Sequence, residues 1–298
     1  MLRTAFPQFN QRSRENNSFA QQDAEECWSQ ILSVLRTNLK PSPTEKSFID
    51  KYLSGTFVTT LSCDESPDEP PTHGTETFLK LNCHIDIRTN FMRDGIKASL
   101  TEHLEKRSEV LGRDANWTKA FEITRAPKYL VVHFVRFYWK RDTNKKAKIL
   151  RKVKFPLELD ITEFCSEEVR KKTLPIRDAV REARKKYEEA ERARKRARVQ
   201  AEVDSKDGNV SSGGGATGTA DAKEKMEVDE IDVEALVDES LKADEGSNPT
   251  GLYELSAVLT HAGSNADSGH WQAWTKQVQG RINPLFLFNG LLVCELMV

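Results

Sequence analysis

Apolar positions at Ala24, Cys27, Trp28, Ile31, Leu32, Leu35 and Leu39 recur at three- and four-residue intervals, which predicts one buried-face helix from about Asp23 to Leu39. Asp23 stands where an acidic residue caps a helix start, and Pro41 and Pro43 stop the helix. From Phe48 to Ile87 the pattern shortens to β-rich pieces: GTFVTTLSC, a loop SPDEPPTHGTE, then TFLKLNCHIDI, which together predict a hairpin arm. Ile96 to Leu111 reads as helical. KAFEITRAPKYLVVHFVRFYWK holds two strands separated by a turn at Ala126-Pro127. Tyr129 to Phe137 is apolar apart from His133 and Arg136, as expected of the central strand of a sheet. KAKILRKVKFPLELDITEF alternates and closes the first folded block near Cys165.

Between Ile176 and Val203 lie ten basic and six acidic residues with few apolar positions, the pattern of a solvated charged helix. The run SSGGGATGTA and the acidic stretch Asp221 to Glu245 follow, both expected to be disordered. Folded character resumes at Gly251 with the strand LYELSAVLTHAG, and SNADSGHWQAW leads into another strand. The organisation expected is a first block at 1–165, a charged helix and insert at 166–250, a second folded segment at 251–276 and an atypical apolar tail at 277–298. The strongly apolar end, Pro284 to Val298, falls short of the ~20 residues that span a bilayer.

Composition supports a folded core with a long solvated insert: of 298 residues, 38% are hydrophobic and 31% charged. With 45 basic and 46 acidic side chains, whole-protein attraction to nucleic acid is not expected. The basic run Arg192 to Arg198 fits an import signal or a nucleic-acid patch, but its acidic neighbours favour a solvated helix face. Five cysteines without a CxxC pair fit a reduced, intracellular compartment, and the N-terminus lacks a secretory pattern. The expected location is cytoplasmic, nuclear or both, with neither nucleic acid nor membrane as a partner.

Two segments are more specific than the rest: FPQF followed by QQDAEECW, Gln21 to Trp28, and YELSAVLTHAGSNADSGHWQAW, Tyr253 to Trp274. The second fits a histidine box of the form Y-x-L-x-A-V-x-x-H-x-G-x(4,5)-S-G-H-[YW]. Together they resemble the ubiquitin-specific proteases, cysteine-type deubiquitinases, and most closely the proteasome-associated subgroup. LVVHFVRFYWK and KVKFPLELDI are similar to that subgroup's core strands. The resemblance covers roughly Leu2 to Ile161 and Gly251 to Lys276. It implies an α+β, papain-like fold, incomplete at both ends, with a thumb remnant, β fingers and a palm sheet shared by the strands near Val131, Val153 and Leu255. It also implies ubiquitin and ubiquitin conjugates as partners, the 26S proteasome as a docking platform, and no cofactor.

Carried over by position, His270 corresponds to the general base. A thiol with a pKa of about 8.5 is only slightly ionised at neutral pH, and a close imidazole takes its proton and stabilises the thiolate. Gln22 and Asp23 match positions beside the channel for ubiquitin's C-terminal tail, where amide and carboxylate groups would hydrogen-bond an extended backbone. For Asp23 helix capping is the first role and tail contact the second. Gly269 leaves a threading peptide unobstructed, and His261 is a structural or tail-lining residue. Cys27 and Trp28 lie on the apolar stripe and read as core, which makes Cys27 a poor nucleophile candidate. Cys63 and Cys83, with His73 and His84 nearby, place one thiol per strand and do not supply a tetrahedral zinc set, so no metal is expected.

Two of the family's elements are not found among these residues. No Gly-Asn-x-Cys-Tyr box occurs, and no Asp follows Trp274, where a W-x-x-F-D-D-like segment would orient the imidazole; Asn283 and Asn289 are weak substitutes. The expectation is a truncated or mispredicted reading frame, without the nucleophile and without the subgroup's ubiquitin-like docking domain. Three functions follow: a thiol hydrolase whose Cys comes from a missing N-terminal part, a ubiquitin-binding fragment that does not cut, and a membrane-tethered adaptor.

Overall fold

A computed structural model describes residues 2–12, 22–40, 42, 45–140, 142, 145–207, 233–263, 269–276 and 290–295. The chain opens with a short helix α1 (Leu2–Ala5) and a 3-10 turn (Pro7–Asn10) that buries Phe9. Helix α2 (Ala24–Asn38) forms where the apolar spacing places it, capped by Asp23, whose carboxylate accepts from the Glu25 backbone N–H at 3.0 Å. Its apolar stripe buries Leu32 against Ile49 and Leu53, with Trp28 and Leu35 packed alongside. An Arg36–Asp50 ion pair at 2.6 Å ties it to α3 (Phe48–Tyr52), so residues expected to begin the β region form a Ser47-capped helical turn instead. Pro41 and Pro43 lie outside the described residues.

The first sheet consists of four antiparallel strands, β1 (Gly55–Cys63), β2 (Thr72–Phe78), β4 (Thr101–Arg107) and β5 (Asp114–Arg125), in the order β2-β1-β5-β4. Two expectations are corrected here. The second finger strand is THGTETF, taken from what reads as loop, because its polar residues face solvent on an edge strand. The helix expected over Ile96 to Leu111 ends early: α4 (Met92–Ser99) gives way to the exposed edge strand β4, whose TEHLEKR has no apolar face to mark it.

The second sheet contains β3 (Leu81–His84), β6 (Tyr129–Val135), β9 (Glu158–Asp160), β10 (Leu252–Ala262), β11 (His270–Thr275) and β12 (Gly290–Glu295). It runs β11-β10-β12-β6-β3, with β9 paired to β10 off that path. The β6 strand lies between two parallel neighbours, in keeping with its nearly unbroken apolar run, and wholly buries Val132 and Phe134. Helix α4 packs on β3 so tightly that a Cβ on Gly95 would stand 2.4 Å from the Cys83 sulfur. Beneath β10 the Tyr253 hydroxyl donates to the Pro127 carbonyl at 2.5 Å.

Three further differences concern the palm. Val153 is buried but belongs to no strand; the KAKILRKVKF segment instead gives β8 (Lys145–Lys148), hairpinned with β7 (Phe137–Lys140), before an irregular stretch. The tail, expected to be atypical and given no strand, inserts Gly290–Glu295 parallel between β10 and β6, a place suited to a short apolar run with strands on both sides. The charged helix, α5 (Glu167–Asp207), is longer than expected and its first half is docked. Ile176 and Val180 are fully buried against Val237 and Leu252, and Arg177, Arg181 and Arg184 pair with Asp160, Glu158 and Glu254.

The far end of the acidic stretch is also ordered, in α6 (Val233–Leu236) and α7 (Glu239–Lys242). Asp244 then accepts from Arg125 at 2.6 and 2.8 Å while the same guanidinium donates to the carbonyls of Lys51, at 2.7 Å, and Ser54. The rest of that stretch, the Gly-rich run and most of the tail lie outside the described residues.

Candidate active site

The two segments that stand out in the sequence meet in space. At the start of α2 the Gln22 carbonyl accepts a hydrogen bond from the Trp271 indole Nε1 at 3.1 Å. Trp271 is the second residue of β11, so the strand that begins with His270 runs against the start of the α2 helix. His270 is exposed and pairs with Ala262, while Trp271 pairs with His261. Neighbouring side chains of a strand face opposite sides, which sends the Trp271 ring toward His261 and leaves the His270 imidazole on the other side.

His261 has no exposed surface. Its ring meets Trp271 edge-on at 4.9 Å and Phe137 at 5.7 Å between centroids, and its Nδ1 lies 3.3 Å from the Lys148 ammonium. Among the described residues Nε2 has no hydrogen-bond partner. Burial and then the Lys148 charge push this imidazole below its ordinary pKa, against the opposing pull of Asp23. A ring so enclosed is a packing element and presents no surface to a substrate tail.

Gly269 sits over that ring with φ +152, and a Cβ there would fall 2.4 Å from the Ala262 carbonyl oxygen and 2.5 Å from His261 Nε2. The close approach of β10 beneath therefore requires a glycine at this position. Asp23 spends its carboxylate on the α2 cap, and Gln22 its carbonyl on Trp271.

Two groups in this region have no local sequence signal of a site role or only a faint one. His133, on β6, is pushed below its ordinary value by burial and then by Lys80, with Glu25 and Asp23 acting the other way. Its only mark in the sequence is a polar residue inside an apolar strand. Lys148, on β8, donates to the His261 carbonyl at 2.9 Å and the Gly263 carbonyl at 2.6 Å, a role created by contacts distant in sequence.

Four cysteine side chains are described, all as free thiols. Burial pushes Cys83 and Cys165 up to about 12, and burial together with Glu26 raises Cys27; Cys63 is buried. None of the four has the electropositive, accessible setting of a reactive thiol. Cys63 and Cys83 fall in separate apolar clusters, and among the described residues no group of three or more His, Cys, Asp or Glu side chains is arranged to hold a metal ion.

The family model described as ubiquitin carboxyl-terminal hydrolase matches residues 1–294. The chain belongs to that family. Ubiquitin carboxyl-terminal hydrolase 6 of Schizosaccharomyces pombe is 46% identical over 293 residues, covering 98% of this chain and 58% of the relative. Ubiquitin carboxyl-terminal hydrolase 6 of Arabidopsis thaliana is 40% identical over 94% of this chain and 55% of its own length. Ubiquitin carboxyl-terminal hydrolase 14 of Caenorhabditis elegans is 32% identical over 92% and 49%. The chain therefore spans about half the length of these relatives. Among solved structures, the SAGA Ubp8/Sgf11/Sus1/Sgf73 DUB module bound to ubiquitin aldehyde aligns with a TM-score of 0.51 over 89% of this chain and 44% of that one. At 15% identity that likeness concerns the fold, which is the expected papain-like α+β arrangement of this hydrolase family.

Proposed function

We propose that this hydrolase chain carries the ubiquitin-holding and proton-transferring part of a cysteine-type deubiquitinase that acts at the proteasome. The observation that carries the reading is the Gln22–Trp271 hydrogen bond, which brings the start of α2 and the strand of His270 together. In this reading the exposed His270 imidazole takes the proton of a thiol presented beside α2. The thiolate attacks the carbonyl carbon of ubiquitin's last glycine, the imidazolium returns its proton to the departing lysine amine, and the thioester is then hydrolysed by a water that His270 deprotonates. The first sheet grips ubiquitin's folded body, and Gln22 and Asp23 border the path of its tail. The proteasome enters through the resemblance of both segments to the proteasome-associated subgroup, and the unpaired cysteines support a cytoplasmic location, a nuclear one or both.

A second reading is supported by the four buried or raised thiols: these 298 residues, taken alone, bind ubiquitin without cutting it. A ubiquitin C-terminal electrophile separates the two. The product of the full-length transcript is expected to form a covalent adduct that His270→Ala slows strongly, while this chain binds ubiquitin with none of its cysteines labelled. Absence of any adduct with the full-length product would remove the hydrolase reading.

A further inference from the structure

The β7–β8 hairpin presents two side chains to one imidazole. Phe137 and Lys148 are direct cross-strand partners, and both reach His261, the ring at 5.7 Å between centroids and the ammonium at 3.3 Å from Nδ1. The same ammonium donates to the carbonyls of His261 and Gly263, at 2.9 and 2.6 Å. A compact ammonium with three donors suits this convergent set, where a planar guanidinium would fit poorly. On its far side the His261 ring supports Gly269 so closely that no Cβ fits, and Gly269 is followed by His270.

We propose that Lys148 is a positioning residue for His270: its hold on the His261 and Gly263 carbonyls fixes the end of β10, and the buried His261 ring carries that placement to Gly269 and the start of β11. With Nδ1 turned to the ammonium, the ring proton sits on Nε2, under Gly269, and the orientation of the imidazole is set by Lys148. The Trp271 indole bond to Gln22 then fixes the residue that follows His270 on β11, so His270 stands between two anchored neighbours along the strand. This inference rests on the hydrolase reading for its catalytic consequence only.

Lys148→Met keeps the length of the side chain and removes its donors; Lys148→Arg restores donors in a poorer shape. In this chain, labelled on histidine, glycine and tryptophan, Lys148→Met is expected to shift and broaden the signals of Gly263, Gly269, His261 and His270, leaving those of the Trp117 indole in the first sheet in place. Lys148→Arg should lie between the two. In the wild-type chain the Lys148 ammonium protons should exchange more slowly than those of exposed Lys171, a measurement that stands even if the Met variant folds poorly. In the full-length product, Lys148→Met should lower kcat on a ubiquitin-coumarin substrate by about ten- to a hundredfold, as expected of a misplaced catalytic group, with KM little changed. Unmoved Gly269 and His270 signals in Lys148→Met, or an ammonium exchanging as fast as that of Lys171, would overturn the proposal. Failure of the ubiquitin electrophile to label the full-length product overturns the hydrolase reading alone and leaves the resonance data to decide the role of Lys148.

Discussion

Trp271 Nε1 donates to the Gln22 carbonyl at 3.1 Å across 249 positions of sequence. The bond joins the first residue before the α2 cap to the second residue of β11, and the indole that makes it also lies edge-on against the buried His261 ring. One side chain therefore sets the spacing between the helix start and the strand that carries His270.

Replacing Trp271 by Phe removes the donor and keeps an aromatic ring for His261. The loss should be that of one hydrogen bond, about 1 kcal/mol, read as a lowered urea midpoint with an unchanged slope. The more telling readout is local: the amide of Gln22 and the ring of His270 should move together. A variant that lost stability while leaving both signals in place would show that the indole bond does not set this spacing.

Gly269 and Gly112 offer a matched pair of substitutions. Gly112 has φ +66 with nothing within 4 Å of the point where a Cβ would stand, so an alanine there meets only backbone strain, roughly 1–2 kcal/mol. At Gly269 the same methyl group would collide with the Ala262 carbonyl and the His261 ring, both held in place by β10. Gly269→Ala should exceed the Gly112→Ala loss by about 2 kcal/mol or more and displace the His261 signals. Thermal melts of the two variants test this; equal losses would mean that the β10 ring yields.

The parts legible in the sequence are those whose signal is local. The α2 stripe and its Asp23 cap need only one turn of helix to be read, and β6 is marked by its own apolar run. The exposed β4 shows little, because TEHLEKR offers a single apolar residue, Leu104, to the Trp117 cluster and is held mainly by backbone pairing to β5. The docked half of α5 is obscured by its charge: Arg177, Arg181 and Arg184 read as solvated until Asp160, Glu158 and Glu254 arrive from two other strands. His261 reads as a box residue with either a packing or a lining role, and only its burial under Gly269 separates the two. Lys148 is invisible for the same reason, since its acceptors lie more than a hundred residues away.

His133 and His261 both sit below their ordinary value in the folded chain, chiefly through burial. The unfolded chain therefore takes up these protons first, and stability should fall as pH drops below the unfolded value of about 6.5 and on through the depressed folded values. His133 is faced by Lys80 and His84, which lower it, and by Glu25 and Asp23, which raise it. His133→Gln removes one of the two protons and should flatten the fall in urea midpoint between about pH 7 and pH 5. An unchanged slope would place the acid sensitivity elsewhere.

Arg125 and Asp244 anchor the end of the insert to the junction of the first sheet and α3. The guanidinium hydrogen bonds hold the Asp244 carboxyl below its ordinary value despite partial burial, so its contribution is present above the unfolded pKa and lost as pH falls through the folded one. Asp244→Asn keeps one acceptor but removes the charge, and the guanidinium retains the Lys51 and Ser54 carbonyls. The expected loss is about 1–2 kcal/mol, that of a charge-assisted pair open to solvent on one side. Because the neighbouring Lys51–Glu245 pair is exposed and adds little, the variant should also release residues 239–247 to limited proteolysis while the sheets stay intact. Cleavage confined to that span supports Arg125 as the anchor; resistance equal to the wild type would mean that the Val237 and Leu241 packing on α5 and the backbone bonds of Gly246 and Asn248 to Lys128 and Ala126 hold the segment without it.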